Sequence, residues 1–164
     1  MILLKQELKM MDKYYLKLPT KVGTFVLVED NTEHISGLSL EPYDTKGLIN
    51  QETPLLSQLK QELLAYFKGT LKEFTVPIKQ EATPFQQAVY EILMDVPYGY
   101  TLTYGDIAYL MGNKAYQAVG GALNKNKIMI IIPCHRVLSE SGLGGFYYGL
   151  ELKKYLLDLE KSNL

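Results

Sequence analysis

The chain carries a single cysteine, Cys134, and one of its two histidines, His135, is the next residue. The pair closes an apolar run in "KIMIIIPCHRVL", residues 127–138. A thiol with an ordinary pKa near ~8.5 is only slightly ionised at neutral pH, and the thiolate is the nucleophile. A histidine that takes the thiol proton, directly or across a water, raises the reactive fraction. That histidine in turn needs an acid to orient it and to stabilise its charged form. A C-terminal helix would bring Asp158 and Glu160 nearest. The pattern therefore predicts Cys134 as nucleophile, His135 as base and one of these two carboxylates as orienter. The competing reading is a cysteine that serves only as a small buried hydrophobe. Pro133 weighs against it, because it ends the apolar run and sets Cys134 at a strand terminus. A histidine directly behind a buried run must also find polar partners.

The elements that would position this pair can be read from caps and periodicity. "IMIII" (residues 128–132) predicts a buried strand leading into Pro133. Upstream, "TPFQQAVYEIL" predicts a helix with Thr83 as N-cap, Pro84 in the first turn and Gln86 closing a capping box. Its apolar stripe is Phe85, Val89, Ile92 and Leu93. Two short helices follow, over residues 103–111 and 114–123, joined by a tight turn at Gly112 and Asn113. This spacing has the shape of a helix-turn-helix, whose second helix would be the DNA reader. The bland alternative is two core helices and a turn. The second helix contains Gly120 and Gly121, which weaken a helix by roughly 1 kcal/mol each relative to alanine. Either a packed element or a nucleic-acid backbone must approach closely there. A glycine-rich loop over residues 141–149 then leads to a last helix carrying Leu152, Leu156 and Leu159.

The first half reads as α/β. "VGTFVLVED" (residues 22–30) alternates and is β-branched, and "HISGLSL" (34–40) is its natural partner. A polar connector spans residues 41–52. Thr53, Pro54 and Gly69 then mark the cap, first turn and exit of a helix with Leu55, Leu56, Leu59, Leu63 and Phe67 on one face. "FTVPI" (74–78) reads as a last strand or an extended link.

Composition narrows the function classes. The 164 residues are 47% hydrophobic and 21% charged, as in a globular protein of one or two small domains. No internal disulfide can form with one cysteine, which fits a reducing cytoplasm. Cys134, His34 and His135 are too few for a Cys/His zinc site, so no metal is expected. No run approaches the ~20 apolar residues of a membrane span, and the lysine-interrupted N-terminus does not read as a signal peptide. The net charge of −1 gives no bulk sign of nucleic-acid binding, and Arg136 is the sole arginine.

Taken together, "PCHRV" (residues 133–137), "TPFQQAVYEIL", "VPYGYTLTYGDIA", "AVGGALNKN" and "GLELKKYLLDLE" resemble, in order and spacing, the O6-alkylguanine-DNA alkyltransferases. "LKQELLAYFKGTLKEFTVPI" resembles the end of that family's N-terminal domain. The likeness runs from about residue 53 to the C-terminus and is weaker before it. It implies an α/β N-terminal domain with a small antiparallel, ribonuclease H-like sheet over residues 1–80. A mainly α, winged-helix-like C-terminal domain over residues 81–164 would bind DNA and transfer the alkyl group. Cys134 would accept an alkyl group from O6 of guanine and be spent in one turnover without a cofactor. His135 would act through a water with Glu160 behind it. Asn126 would brace the turn before the active-site strand, and Tyr104 would assist flipping and donate to the leaving guanine. The implied substrate and DNA contacts are Tyr116, Gln117, Ala118, Gly120, Gly121, Ala122, Arg136, Val137, Phe146, Tyr147 and Tyr148. Among these, the Val137 carbonyl would recognise the exocyclic amine, and Phe146 and Tyr147 would line the pocket. The partner would be double-stranded DNA containing O6-alkylguanine, held by its minor groove, and the protein a monomer.

The sequence also departs from the family pattern. The reader helix usually carries an intercalating arginine where this chain has Gln117, and the neighbouring Tyr116 is expected to share the wedge role. Tyr148 replaces a small glycine, and Phe146 lacks the usual tyrosine hydroxyl. The alternatives are a non-catalytic alkyl-lesion binder of the same fold, and a helix-turn-helix regulator whose cysteine senses oxidation or alkylation.

Overall fold

The computed structural model describes the chain apart from residues 10 and 113–115, and apart from the side chains of residues 8 and 9. Its described residues gather into two compact units, Met1–Gln80 and Glu81–Leu164.

The first unit begins with a short helix, α1 (Ile2–Lys9), which was not among the expected elements. Strands β1 (Tyr14–Thr20), β2 (Gly23–Glu29), β3 (Ile35–Leu40) and β4 (Ile49–Asn50) form one sheet in the order β3-β2-β1-β4. β1 and β2 are an antiparallel hairpin, and β2 and β3 are likewise antiparallel. β4 pairs parallel to β1, so the expected antiparallel sheet is mixed, and its fourth strand lies within the polar connector. β2 is the central covered strand, with Phe25, Val26, Leu27 and Val28 all buried. Helix α2 (Pro54–Phe67) packs on β1 and β2 through Leu56, Leu59, Leu63 and Tyr66. Its Thr53 cap accepts from Leu56 N at 3.1 Å, as the sequence predicts. Residues 74–78 form the extended link rather than a further strand. Ile78 bridges to Ile35 of β3, where Ile35 N donates to Pro77 O at 2.8 Å.

The second unit is built around three helices, a short parallel strand pair and a C-terminal helix. α3 (Pro84–Met94) has the predicted capping box, with Thr83 and Gln86 satisfying each other's backbone donors. Strand β5 (Leu102–Thr103) runs directly into α4 (Tyr104–Leu110). Thr103 caps α4 and Asp106 closes a second capping box. α5 (Tyr116–Asn124) packs against α3 and α4 through Val119, Ala122 and Leu123. The expected turn at Gly112 and Asn113 and the helix start at Lys114 fall partly on residues outside the described set. Strand β6 (Val137–Leu138) pairs parallel with β5, and α6 (Leu150–Ser162) packs on the turn that precedes β6. The β5–β6 pair ties the start of α4 to the residues just after "PCHR".

The expected strand over residues 128–132 does not form. Asn126 prevents it: its Oδ1 accepts from Ile128 N at 3.0 Å while its Nδ2 donates to Ile132 O at 2.9 Å. Both ends of the segment are therefore drawn to one side chain, and the chain folds into consecutive tight turns. Ile131 N donates to Met129 O around Ile130, which sits at a φ of 71°, and Cys134 N donates to Ile132 O around Pro133. These are three-residue γ-turns. The apolar side chains are still buried, with Ile128 and Met129 fully enclosed.

Because Thr103 both ends β5 and caps α4, Thr103→Ala removes one half of the capping box. It is expected to lower stability by about 1 kcal/mol, read as a lower denaturant midpoint with an unchanged m value. An unmoved midpoint would show that the cap does not hold α4.

Candidate active site

Cys134 opens a single 3-10 turn, Cys134–Arg136, and all three of its side chains are buried. The thiol is capped by the Asn126 amide, whose Nδ2 lies 3.4 Å from Sγ. Burial pushes the thiol pKa up, opposed by that amide and by the charge of Lys153. Cys134 is therefore a neutral thiol at rest and needs a base to become a nucleophile.

The next residue provides one. His135 Nε2 is hydrogen-bonded to Glu160 Oε2, and the His135 ring is fully buried. Burial holds the imidazole below its usual range, against the pull of Glu160. A neutral imidazole has one N–H, and the carboxylate can only accept, so that proton is on Nε2. Nδ1 is then a lone pair, and it has no hydrogen-bond partner among the described residues. The carboxylate is Glu160 and not Asp158. Asp158 is exposed on the outer face of α6, paired with Lys154 at 2.6 Å.

Glu160 is itself enclosed. Its Oε1 accepts from Arg136 Nε at 2.7 Å and from Gly99 N at 3.1 Å. Burial alone would raise its pKa, but His135 and Arg136 outweigh that and hold it at about 2. Arg136 also donates from Nη1 to Val96 O at 2.8 Å. This guanidinium is buried, with both of these partners inside the second unit. Ala122 is buried as well. It faces the core, and its carbonyl accepts from the Tyr90 hydroxyl at 2.7 Å.

Above the thiol is a cavity of about 20 Å³ lined by Tyr104, Leu123, Asn124, Asn126, Cys134, Gly145, Phe146, Tyr147 and Tyr148. The structure thus brings Cys134, Asn126, Tyr104 and the three loop aromatics to one place. Tyr104 reaches across with its hydroxyl 3.4 Å from Gly145 O, and burial raises its pKa, so it keeps its proton at neutral pH. The loop passes so close to Tyr104 that Gly144 admits no side chain. A Cβ there would lie 2.8 Å from the Tyr104 ring and 3.1 Å from Ser139 N, and its φ of 71° also favours glycine. Tyr148 packs between Phe146 and Tyr147, with ring centroids 5.8 and 5.0 Å away. On α5, Tyr116, Gln117 and Ala118 are exposed, and a Cβ on Gly120 or Gly121 would meet nothing within 4 Å. The glycines therefore leave an open face rather than a close internal contact.

One site residue escaped the sequence reading. Lys153 is buried on α6, and its Nζ donates to the carbonyls of Val137, Leu143 and Gly145, the last at 2.9 Å. Burial brings its pKa down to about 8. It fixes both the strand after the 3-10 turn and the loop lining the cavity. The signal for it was present: a lysine inside the buried stripe of Leu152 and Leu156. The Val137 carbonyl takes this bond and retains a second lone pair.

Glu160 makes stability depend on acid. Its folded pKa lies below the unfolded value of 4.5, so its contribution is complete above pH 4.5 and is lost as pH falls towards 2. The loss is on the order of 3 kcal/mol. Denaturant unfolding at fixed pH should show that decline, and Glu160→Gln should show a shallower one between pH 4.5 and 2 while being less stable at neutral pH. A variant with the same decline would remove Glu160 as its source.

Two family models match the chain. The model for the 6-O-methylguanine DNA methyltransferase DNA binding domain covers residues 84–162, and that for the ribonuclease-like domain covers residues 13–80. A constitutive methylated-DNA–protein-cysteine methyltransferase of Bacillus subtilis is 37% identical over 158 residues, spanning 90% of this chain and 95% of its own. A methylated-DNA–protein-cysteine methyltransferase of Methanosarcina acetivorans is 40% identical, spanning 91% and 99%. The crystal structure of Mycobacterium tuberculosis OGT in complex with DNA matches with a TM-score of 0.84 at 36% identity, over 92% of this chain and 94% of that one. With both of its units matched, the chain belongs to the O6-methylguanine DNA methyltransferase family.

Proposed function

We propose that the protein repairs DNA by moving an alkyl group, methyl above all, from O6 of guanine onto Cys134. The observation that carries this reading is the buried Cys134–His135–Glu160 arrangement beneath a small cavity, with His135 Nδ1 open and Nε2 held.

In the reaction the Cys134 thiol gives its proton to His135 Nδ1, directly or through a water, and Glu160 stabilises the imidazolium that forms. The sulfur attacks the alkyl carbon in line with the C–O6 bond. An S–C bond forms, the C–O6 bond breaks and its electron pair stays on the guanine. Guanine is a poor leaving group as an anion, so a proton delivered to its ring lowers the barrier, and the Tyr104 hydroxyl is the donor at hand. Asn126 holds the turn that presents the thiol. The Val137 carbonyl receives the exocyclic amine, while Phe146 and Tyr147 line the pocket. A thioether does not revert readily to a thiol, so each molecule acts once, with no cofactor.

O6 is inaccessible in a stacked duplex, so the base must leave the stack at a cost of a few kcal/mol. Residues 81–164 do the binding and the chemistry, and residues 1–80 form a separate domain. The open glycine face of α5 suits approach of a minor groove, flanked by Gln117 and Ala118. The cavity at Cys134 has room for about one water, so the loop carrying Phe146, Tyr147 and Tyr148 must give way to a purine. Tyr148 makes adducts larger than methyl harder to admit. The protein works as a monomer in the cytoplasm. No helix among the described residues is long and apolar enough to cross a membrane.

Incubation with duplex DNA carrying O6-methylguanine should add one methyl group per chain, located on Cys134 by peptide mass spectrometry. Cys134→Ser should acquire none. Tight lesion binding without transfer would favour a non-catalytic binder of the same fold, and selective binding to undamaged sequences would favour a regulator.

A further inference from the structure

Resting on that reading, we propose that Tyr116 is the side chain that enters the base stack when the damaged guanine leaves it. Extrusion opens a gap one base deep, and proteins that distort DNA from the minor groove hold such gaps with an inserted apolar or aromatic wedge. The wedge must be exposed, flat and beside the pocket mouth. Tyr116 meets all three conditions. It opens α5 and is 56% exposed although its ring is large and apolar. It shares a helix face with Gly120 and Leu123, at spacings of four and seven residues. Leu123 lines the Cys134 cavity, about 10 Å along the helix from Tyr116, and Gly120 leaves the surface between them bare.

The side chain also leans towards the pocket. A Cβ built on Gly105 would lie 2.9 Å from the Tyr116 hydroxyl and 2.6 Å from Glu140 Oε1. Gly105 adjoins Tyr104, which lines the cavity. The tyrosine therefore spans from the first turn of α5 to the first turn of α4, beside the point where an extruded base would pass. The bare Gly105 backbone is what lets it rest there. Gln117 is exposed beside it, but its amide is flexible and has no aromatic face to stack between bases.

The test compares single-turnover methyl transfer from O6-methylguanine in duplex DNA with transfer from the free base, which needs no extrusion. Tyr116→Ala is expected to lower the ratio of duplex to free-base rate at least tenfold, and Tyr116→Phe and Tyr116→Trp to restore it. Gln117→Ala should lower the ratio less than Tyr116→Ala does. Fluorescence of 2-aminopurine placed beside the lesion should report weaker unstacking with Tyr116→Ala at saturating protein. Equal loss on both substrates, or a larger loss with Gln117→Ala, would overturn the proposal. Failure of the wild-type protein to methylate Cys134 from either substrate would instead overturn the alkyl-transfer reading. The unstacking signal would then still decide whether Tyr116 is the wedge.

Discussion

The second unit is organised around one buried carboxylate, that of Glu160. Glu160 lies on the last helix, far from Cys134 in sequence, yet its two oxygens hold His135, Arg136 and the Gly99 amide. A carboxylate removed from water is tolerable only when its lone pairs are satisfied and its charge is balanced. Here Arg136 provides the balance and His135 takes the remaining acceptor. The consequence is chemical as well as structural. With Nε2 fixed on Glu160, the imidazole is held as the tautomer whose lone pair is on Nδ1. The histidine adjoining the chain's only cysteine is thereby prepared to accept a proton.

The thiol depends on a second polar side chain of the same kind. Asn126 bonds Ile132 O, Ile128 N and Sγ, and so converts an apolar run into turns that deliver Cys134 to the cavity floor. Lys153 does the same for the cavity wall by gathering three carbonyls. Each is a buried polar group that gathers backbone from outside its own helical or strand pairing, Asn126 from two and six residues on and Lys153 from eight to sixteen residues back. Each also sits where an apolar residue would pack but could not fix the geometry.

These buried polar contacts mark the limit of what the sequence disclosed. The helices were legible because caps are local: Thr53, Thr83 and Gln86 act within four residues of themselves. The pairing of Cys134 with His135 was legible because the two are adjacent, and the carboxylate could be narrowed to Asp158 or Glu160 by the length of the last helix. Helical phase then decides between them, since Glu160 shares the buried face with Leu152 and Leu156 while Asp158 faces solvent. The strand expected over residues 128–132 failed for the converse reason. Its composition is β-branched and apolar, but one asparagine upstream overrides propensity. β4 was missed because two residues in a polar connector show no period. Arg136 and Ala122 were read as substrate or DNA contacts by resemblance of motif, and motif alone does not show that both side chains are buried.

The chemistry at Cys134 rests on the protonation state of one ring. Nitrogen NMR of the protein labelled at histidine reads it directly, with His135 assigned by comparison with a His135→Gln sample. At neutral pH the His135 ring should show a protonated Nε2 and an unprotonated Nδ1, and it should become an imidazolium only below pH 6.5. A ring protonated on Nδ1, or an imidazolium already present at pH 7, would contradict it.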